Sequence, residues 1–325
     1  LLGETYSQLW NPKGKRWQPY DRLPDFSYAG YHNGERDLPK EPVGLNVKDF
    51  GAKGDGQTDD TQAFVDALAQ AEGKVLEIPP GVYMITKILD IKRTGTVLRG
   101  AGTDQTILFF PIPLNDIQPN WGTTTGGRPT SNYSWSGGFL WFKGDFQSRE
   151  LAGIEGEYAR GIDTIYLSTT EGLRQGQAVE IRQQDTPENS LATYLYDNDP
   201  GDTKELKGVI STSMVIWIDE LQPKRIRFHP ALRFDLRKEW NPKLLAFQPT
   251  VQDAGVEHMT LRFPATDYEG HFTELGFNGI AFSGVAHCWV RDVRFENADS
   301  GIFLASKFCT LQDILFVSER KKDGQ

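Results

Sequence analysis

Apolar side chains change their spacing three times along this chain. Over residues 59 to 72, Ala63, Phe64, Ala67, Leu68 and Ala71 recur at helical spacing, which predicts an amphipathic helix. Thr58 stands where the N-cap belongs, Asp59 and Asp60 fall in the first turn, where the helix dipole favours negative charge, and Gly73 marks the stop. Over 160 to 248 the pattern becomes strict alternation, in "DTIYLSTTEGLRQGQAVEIRQ", "MVIWIDEL" and "KRIRFHPALRFDL". That period predicts antiparallel hairpins forming a small inserted β subdomain, with "DTPENSLATYLYDNDPGDTKELKG" as a mobile loop between them.

From residue 251 the pattern repeats. "CWVRDVRF" (288–295) sets over "CTLQDILF" (309–316): Cys288 and Cys309, Asp292 and Asp313, and Phe295 and Phe316 each differ by 21, and "GIAF" at 279 differs from "GIFL" at 301 by 22. A period of 21 to 22 holding three short strands is the coil of a parallel β-helix, in which apolar side chains stack on the coil before. Cys288 and Cys309 then stack in the core as reduced thiols, and Asp292 and Asp313 are turn formers. An earlier coil, "VEHMTLRF" (256–263), aligns with Phe263 over Phe295, 32 residues apart, which puts Arg262 and Arg294 at equivalent outward positions. The extra residues bulge out as the loop "PATDYEGHFTELGF" (264–277).

Composition narrows the classes. The 325 residues carry a net charge of −9, which argues against nucleic acid as the main partner, because phosphate binding needs a basic face. No run of about 20 apolar residues offers a membrane span. Two cysteines do not make a disulfide scaffold, and no Cys/His set has zinc spacing. The sequon Asn132–Ser134 and a chain opening on Leu1 fit an exported protein with a removed leader.

The acid-rich run "DFGAKGDGQTDD" does not meet the ligand spacing of a helix-loop-helix calcium site. It lies within "NVKDFGAKGDGQTDDTQAFVDALAQAEGKVLEIPPGVYMI", and "GTVLRGAGTDQTILFF" comes next. Together these segments resemble the opening of the pectate-lyase-like right-handed parallel β-helix proteins. The resemblance covers residues 46 to 110 and implies an all-β, right-handed parallel β-helix whose open end is capped by the N-terminal helix. Five segments result: an extended arm (1–45) whose Trp10, Trp17, Tyr20, Phe26 and Tyr28 pack on the body, cap and first coils (46–110), a long loop region (111–159), the inserted subdomain (160–248) and further coils (249–325). "SERKKDGQ" lacks the look of a cap, so a C-terminal continuation or second chain is expected to complete the helix.

The resemblance also implies an acidic polysaccharide substrate and a groove along the first strand of each coil. One wall would carry Asp267, Tyr268, Glu269, His271, Glu274 and Asn278, then Glu296, Asn297 and Asp299, then Glu319, Arg320, Lys321 and Asp323; the other, His287 and Lys307. Two chemistries fit. β-Elimination on a uronate needs a base at C5 and a cation on the neighbouring carboxylate, roles for Lys307, His287 or Arg320, with Asp299 beside them and Tyr268, His271, Glu274 and Asn278 binding substrate. No organic cofactor is implied; Asp299 and Glu274 could hold calcium. Glycoside hydrolysis needs two carboxylates, for which Asp299 and Asp323 are candidates, but no "GHG" or "RIK" accompanies them. A non-catalytic glycan-binding or structural β-helix is the third class.

Overall fold

The computed structural model describes residues 18, 28–40, 42–206, 208–268 and 270–320. Among the described residues there are two compact units, one within 29–146 and 249–320, the other within 147–248 together with Gln18 and Tyr28. Trp10, Trp17, Tyr20, Phe26, Glu269, Lys321 and Asp323 lie outside the described residues.

The first unit is the parallel β-helix. One sheet runs in the order Val43–Asn46, Val75–Ile78, Val97–Gly100, Gly255–Arg262, Thr106–Phe109, Gly81–Met84 and Asp55–Asp59, and extends from Gly255–Arg262 through Trp289–Glu296 to Thr310–Val317. The second holds Leu89–Ile91, Leu140–Lys143, Asn278–Ala286 and Ser300–Lys307. Every pairing in both sheets is parallel. Parallel register puts like on like: Leu76, Leu98, Val256, Val290 and Leu311 form one ladder across five strands. Phe142 stacks on Phe282 at 4.6 Å and Phe295 on Phe316 at 4.9 Å. Each fully buried side chain of this size contributes about 2–3 kcal/mol. Close stacking leaves no room at Gly279, where a Cβ would sit 2.2 Å from the Phe295 ring.

The counted repeat is real where coils are adjacent. Trp289 pairs with Thr310 and Phe295 with Phe316, and Ile280 pairs with Ile302. Asp292 and Asp313 lie inside the strands Trp289–Glu296 and Thr310–Val317 rather than in turns between them, and both adopt left-handed φ there, 51° and 54°, as His258 does at 59°. His258 Nδ1 and Asp292 Oδ2 lie 2.7 Å apart. Cys288 is buried and Cys309 half-buried, both free. The earlier coil, however, is offset by 34 rather than 32: Leu261, not Phe263, faces Phe295. A shift of two keeps the in–out alternation of a strand, so side-chain pattern alone cannot separate the two registers. In the true register Arg262 faces Glu296 and forms an ion pair with it, and Arg294 aligns with Thr260.

The capping helix is shorter than predicted, Thr61–Leu68, and Thr58 does not cap it. Thr58 and Asp59 belong to a strand, and Asp60 is the N-cap residue. The acids instead fold the turn that leads in. Asp60 accepts the Lys53 and Gly54 N–H groups (2.6 and 3.0 Å), Asp55 those of Gln57 and Thr58 (2.9 and 2.8 Å), and Asp59 that of Thr61 (3.0 Å). Short acidic side chains satisfy nearby backbone donors as readily as they interact with a helix dipole.

The second unit closes into an antiparallel barrel in the order Glu150–Glu155, Thr164–Leu167, Arg225–His229, Ser211–Gln222, Ala178–Gln184 and Lys243–Ala246. Its inward residues, among them Ile165, Val179, Ile181, Ile216, Ile226 and Phe228, form a separate core. The unit begins at residue 147, before the predicted 160, because Glu150–Glu155 closes the barrel. The predicted mobile loop contains a helix, Ser190–Leu195, fixed by the Asp185 carboxylate on the Leu191 and Ala192 N–H groups (2.7 and 3.1 Å). No described helix is long and apolar enough to cross a membrane.

Candidate functional site

The bulge between the coils at 255–262 and 278–286 makes the site. Residues 264–277 leave the β-helix, and a cavity of about 480 Å3 opens among Thr266, Asp267, Tyr268, Glu274, Asp299 and Arg320. Five of the eight predicted site residues therefore meet: Tyr268, Glu274, Asp299 and Arg320 line the cavity, and His271 joins them through Glu274. Glu274 is their hub: Oε1 accepts the Tyr268 hydroxyl at 2.8 Å and lies 3.2 Å from His271 Nδ1. Glu274 is 9 % exposed and its Oε2 is buried without a hydrogen-bond partner. Burial pushes its pKa up, but its own backbone N–H, Tyr268 and His271 outweigh that and hold the carboxyl below its usual range. Tyr268 moves the other way: burial, then the bond to Glu274, push its hydroxyl up to about 12. Tyr268 thus stays a neutral proton donor.

Asp299 is not an available carboxylate. Its side chain is 2 % exposed; Oδ2 accepts the Gly276 and Phe277 N–H groups (3.1 and 2.8 Å), and Oδ1 pairs with Arg320 Nη1. Arg320 also donates Nε to the Thr266 carbonyl (2.9 Å) and lies 5.4 Å from the Tyr268 ring centre. The pair locks both ends of the bulge to the next coil, so Asp299 and Arg320 position the loop. Both oxygens of the Asp299 carboxylate are thus engaged. Among the described residues, no group of three or more His, Cys, Asp and Glu is placed to hold a metal ion.

Asn278 is not exposed to substrate either. It is fully buried, donating Nδ2 to the Tyr133 and Ser136 carbonyls (2.8 and 3.0 Å), and so anchors the long loop. Asn297 likewise serves a corner, bonding the Phe263 carbonyl and the Glu319 N–H (3.3 and 2.8 Å).

Lys307 and His287 stand apart from this cluster. The strand Ser300–Lys307 separates Asp299 from Lys307, roughly 26 Å at the rise of an extended strand. His287 is 7 % exposed, stacked between His32 (4.1 Å) and Phe308 (5.2 Å). Burial, then the neighbouring His32, lower its pKa from 6.5 to about 4. The His287 ring thus packs between two other rings. It also makes a pH prediction. Between pH 6.5 and about 4 the unfolded chain takes up the proton and the folded chain does not, so stability is full above this window and falls as pH drops through it. The loss is on the order of 3 kcal/mol, read as melting temperature against pH, and His287→Phe should flatten the dependence.

One cation at the site is invisible in the sequence. Arg128 donates Nη2 to the His271 carbonyl at 2.9 Å across a separation of 143 residues. Thr130 donates to the Phe272 carbonyl (2.8 Å), and Trp135 meets the Phe272 ring at 6.1 Å. The two long loops thus pack into one wall, from which Trp121 projects 61 % exposed.

Comparison with known proteins agrees with this architecture. Residues 44–110 match the family described as rhamnogalacturonase A/epimerase, pectate lyase-like. Alginate lyase 7 of Azotobacter vinelandii is 42 % identical over 161 residues, 47 % of this chain and 17 % of that protein. Plasmin and fibronectin-binding protein A of Streptococcus pneumoniae is 26 % identical over 301 residues, 80 % of this chain and 40 % of that protein. Among solved structures, the tailspike protein gp49 of Pseudomonas phage LKA1 superposes with a TM-score of 0.50 at 14 % identity, over 78 % of this chain and 38 % of that one. The chain therefore matches well under half the length of these relatives. Fold and sequence together define a right-handed parallel β-helix protein. Within that class, residues 44–110 are similar to the pectate-lyase-like family.

Proposed function

We propose that the chain acts outside the cell on an acidic polysaccharide, removing the C5 proton of a uronate residue. The observation that carries this reading is the Glu274 carboxylate bonded at once to His271 and Tyr268 beside an open cavity. A carboxylate on Nδ1 sets the tautomer and leaves Nε2 as a base, the arrangement of a histidine–carboxylate dyad. His271 takes the C5 proton, and the electron pair passes into the adjacent carboxylate. Arg128, fixed beside His271, neutralises the charge that develops there. Tyr268, held as a neutral hydroxyl, supplies a proton. If it goes to the C4 glycosidic oxygen as that bond breaks, the reaction is elimination; if a proton returns to C5 from the opposite face, it is epimerisation. Both begin with the same abstraction, and the alginate-lyase and epimerase names among the relatives support it.

A binding role without turnover is the second reading, favoured by the exposed Trp121 and Trp135 on the loop wall, which suit stacking on sugar rings. The last coil leaves Leu304, Leu311, Leu315 and Phe316 exposed, a face on which a further coil or second chain would stack. The two readings part on incubation with polygalacturonate and polymannuronate in heavy water, with and without calcium. Ultraviolet absorbance of a C4–C5 double bond marks a lyase. Deuterium at C5 without it marks an epimerase. Neither, on any polyuronate, would leave only binding.

A further inference from the structure

Two nucleophilic side chains of the β-helix lie outside the C5 chemistry. Cys288 and Cys309 immediately precede equivalent strands of adjacent coils, Trp289–Glu296 and Thr310–Val317. Trp289 pairs with Thr310, and the Thr310 N–H donates to the Cys288 carbonyl at 3.0 Å, so the two cysteines share one rung. Equivalent residues of parallel coils point the same way. Both side chains join the core of the β-helix, Cys288 fully buried and Cys309 half-buried at its margin. Neighbouring strands run about 4.8 Å apart, and a disulfide spans roughly 4.4–6.8 Å between Cα atoms. The pair therefore meets the distance that a bond between coils needs.

The thiols also touch, and the contact makes them unequal. The Cys288 thiol hydrogen-bonds to the Cys309 sulfur; that bond outweighs burial and, with Ser306 Oγ at 3.3 Å, holds the Cys309 thiol down to about 7. Burial pushes Cys288 well up, and its Sγ lies 3.2 Å from the Ala286 carbonyl. The half-buried sulfur is thus the better nucleophile and the buried one stands behind it, the order that a two-step exchange requires.

We propose that Cys288 and Cys309 form an oxidisable dithiol whose disulfide staples the last two described coils together. The co-reactant is a low-molecular-weight disulfide, such as oxidised glutathione. Cys309, as the thiolate, attacks one of its sulfurs; that S–S bond breaks and one small thiol leaves. Cys288 then gives up its proton and attacks Cys309 Sγ in the mixed disulfide, and the second small thiol leaves. Two protein thiols are oxidised, and one small disulfide is reduced to two thiols. The new bond closes a loop that contains Asp299, whose ion pair with Arg320 positions the bulge. The inference rests on strand register and is independent of the uronate chemistry.

The experiment is intact-mass measurement of the folded full chain after incubation with oxidised glutathione, followed by tryptic mapping. The parent is expected to lose the mass of two hydrogen atoms and to yield peptides 263–291 and 308–320 linked within one chain. Its melting temperature should rise by about 5 °C or more over the reduced chain, because a cross-link restricts the unfolded state, and dithiothreitol should reverse both changes. Cys288→Ser lacks the second thiol and should retain one glutathione on Cys309. Cys309→Ser should take up glutathione about tenfold more slowly than Cys288→Ser, its remaining thiol being buried. A parent that stays fully reduced, retains a glutathione adduct, or links only between chains would overturn the staple. Equal labelling of the two variants would overturn Cys309 as the attacking thiol. The parent's mass and peptide map need no variant, so the bond itself is tested even where a serine variant fails to fold.

Discussion

His271→Ala is expected to cut C5–H removal, read as exchange or as the C4–C5 double bond, on the preferred polyuronate by about 10²–10⁴-fold, the range for loss of a general base. The side chain is 67 % exposed and its polar contact is with Glu274, so the fold should survive. A structural role would change melting temperature with activity; a base should change kcat while KM stays within a few-fold. Glu274→Gln should follow the same direction by a different route. The amide keeps the shape but loses the charge that sets the His271 tautomer, and it can no longer accept both the Tyr268 hydroxyl and the imidazole as an anion. Lys307→Ala, at the far end of its strand, should leave exchange within a few-fold of the parent. A fall of a hundredfold in that variant would return the base or neutraliser to the other end of the coil.

Glu257→Ala is expected to be the most damaging single change to the β-helix. Glu257 is fully buried; Oε1 accepts Arg99 Nε at 2.5 Å, and Oε2 accepts Arg291 Nη2 and the Trp289 indole N–H, the latter at 3.3 Å. The strand register sets Glu257 beside both Arg99 and Arg291. Removing the shared anion leaves two largely buried guanidinium groups facing one another, which costs about 3–5 kcal/mol. Chemical denaturation followed by tryptophan fluorescence reads the loss. Replacing Glu257, Arg99 and Arg291 together by methionine should recover most of it, because a packed apolar set avoids the desolvation of the ions. A single Glu257→Ala change within about 1 kcal/mol of the parent, the size of an exposed pair, would contradict this role.

The fold is readable where physics repeats itself locally. The 21- and 22-residue offsets at 279–316 match observed pairings because adjacent coils impose one register. The offset to 256–263 is misread by two because strand alternation is blind to an even slip. Thr58 looks like a cap, yet the carboxylates of Asp55, Asp59 and Asp60 are drawn to backbone donors two to seven residues away. Closure of the barrel by Glu150–Glu155 depends on partners near residues 167 and 245, which no local pattern encodes.

The site divides along the same line. Tyr268, His271 and Glu274 sit within one loop, and their types alone suggest substrate contact. Arg128 reaches them only through tertiary packing. Asp299 and Arg320 look like reacting groups because a sequence shows charge but not whether a charge is already spent on a backbone amide or on its neighbour. His287, between two strands, and Lys307, at the end of one, are as polar as the residues of the cluster, and nothing in the pattern tells that a full strand lies between the two ends.

The proposed chemistry stands or falls on the Glu274–His271 pair removing a proton from a uronate. The sharpest test is nuclear magnetic resonance of C5–H exchange in heavy water, run side by side for the parent chain and Glu274→Gln on polygalacturonate and polymannuronate. Loss of C5–H by the parent, as deuterium at C5 or as a C4–C5 double bond, is expected on at least one polymer, with a fall of about a hundredfold or more in the variant. Loss that persists at the parent rate in Glu274→Gln, or neither product on either polymer, would contradict it.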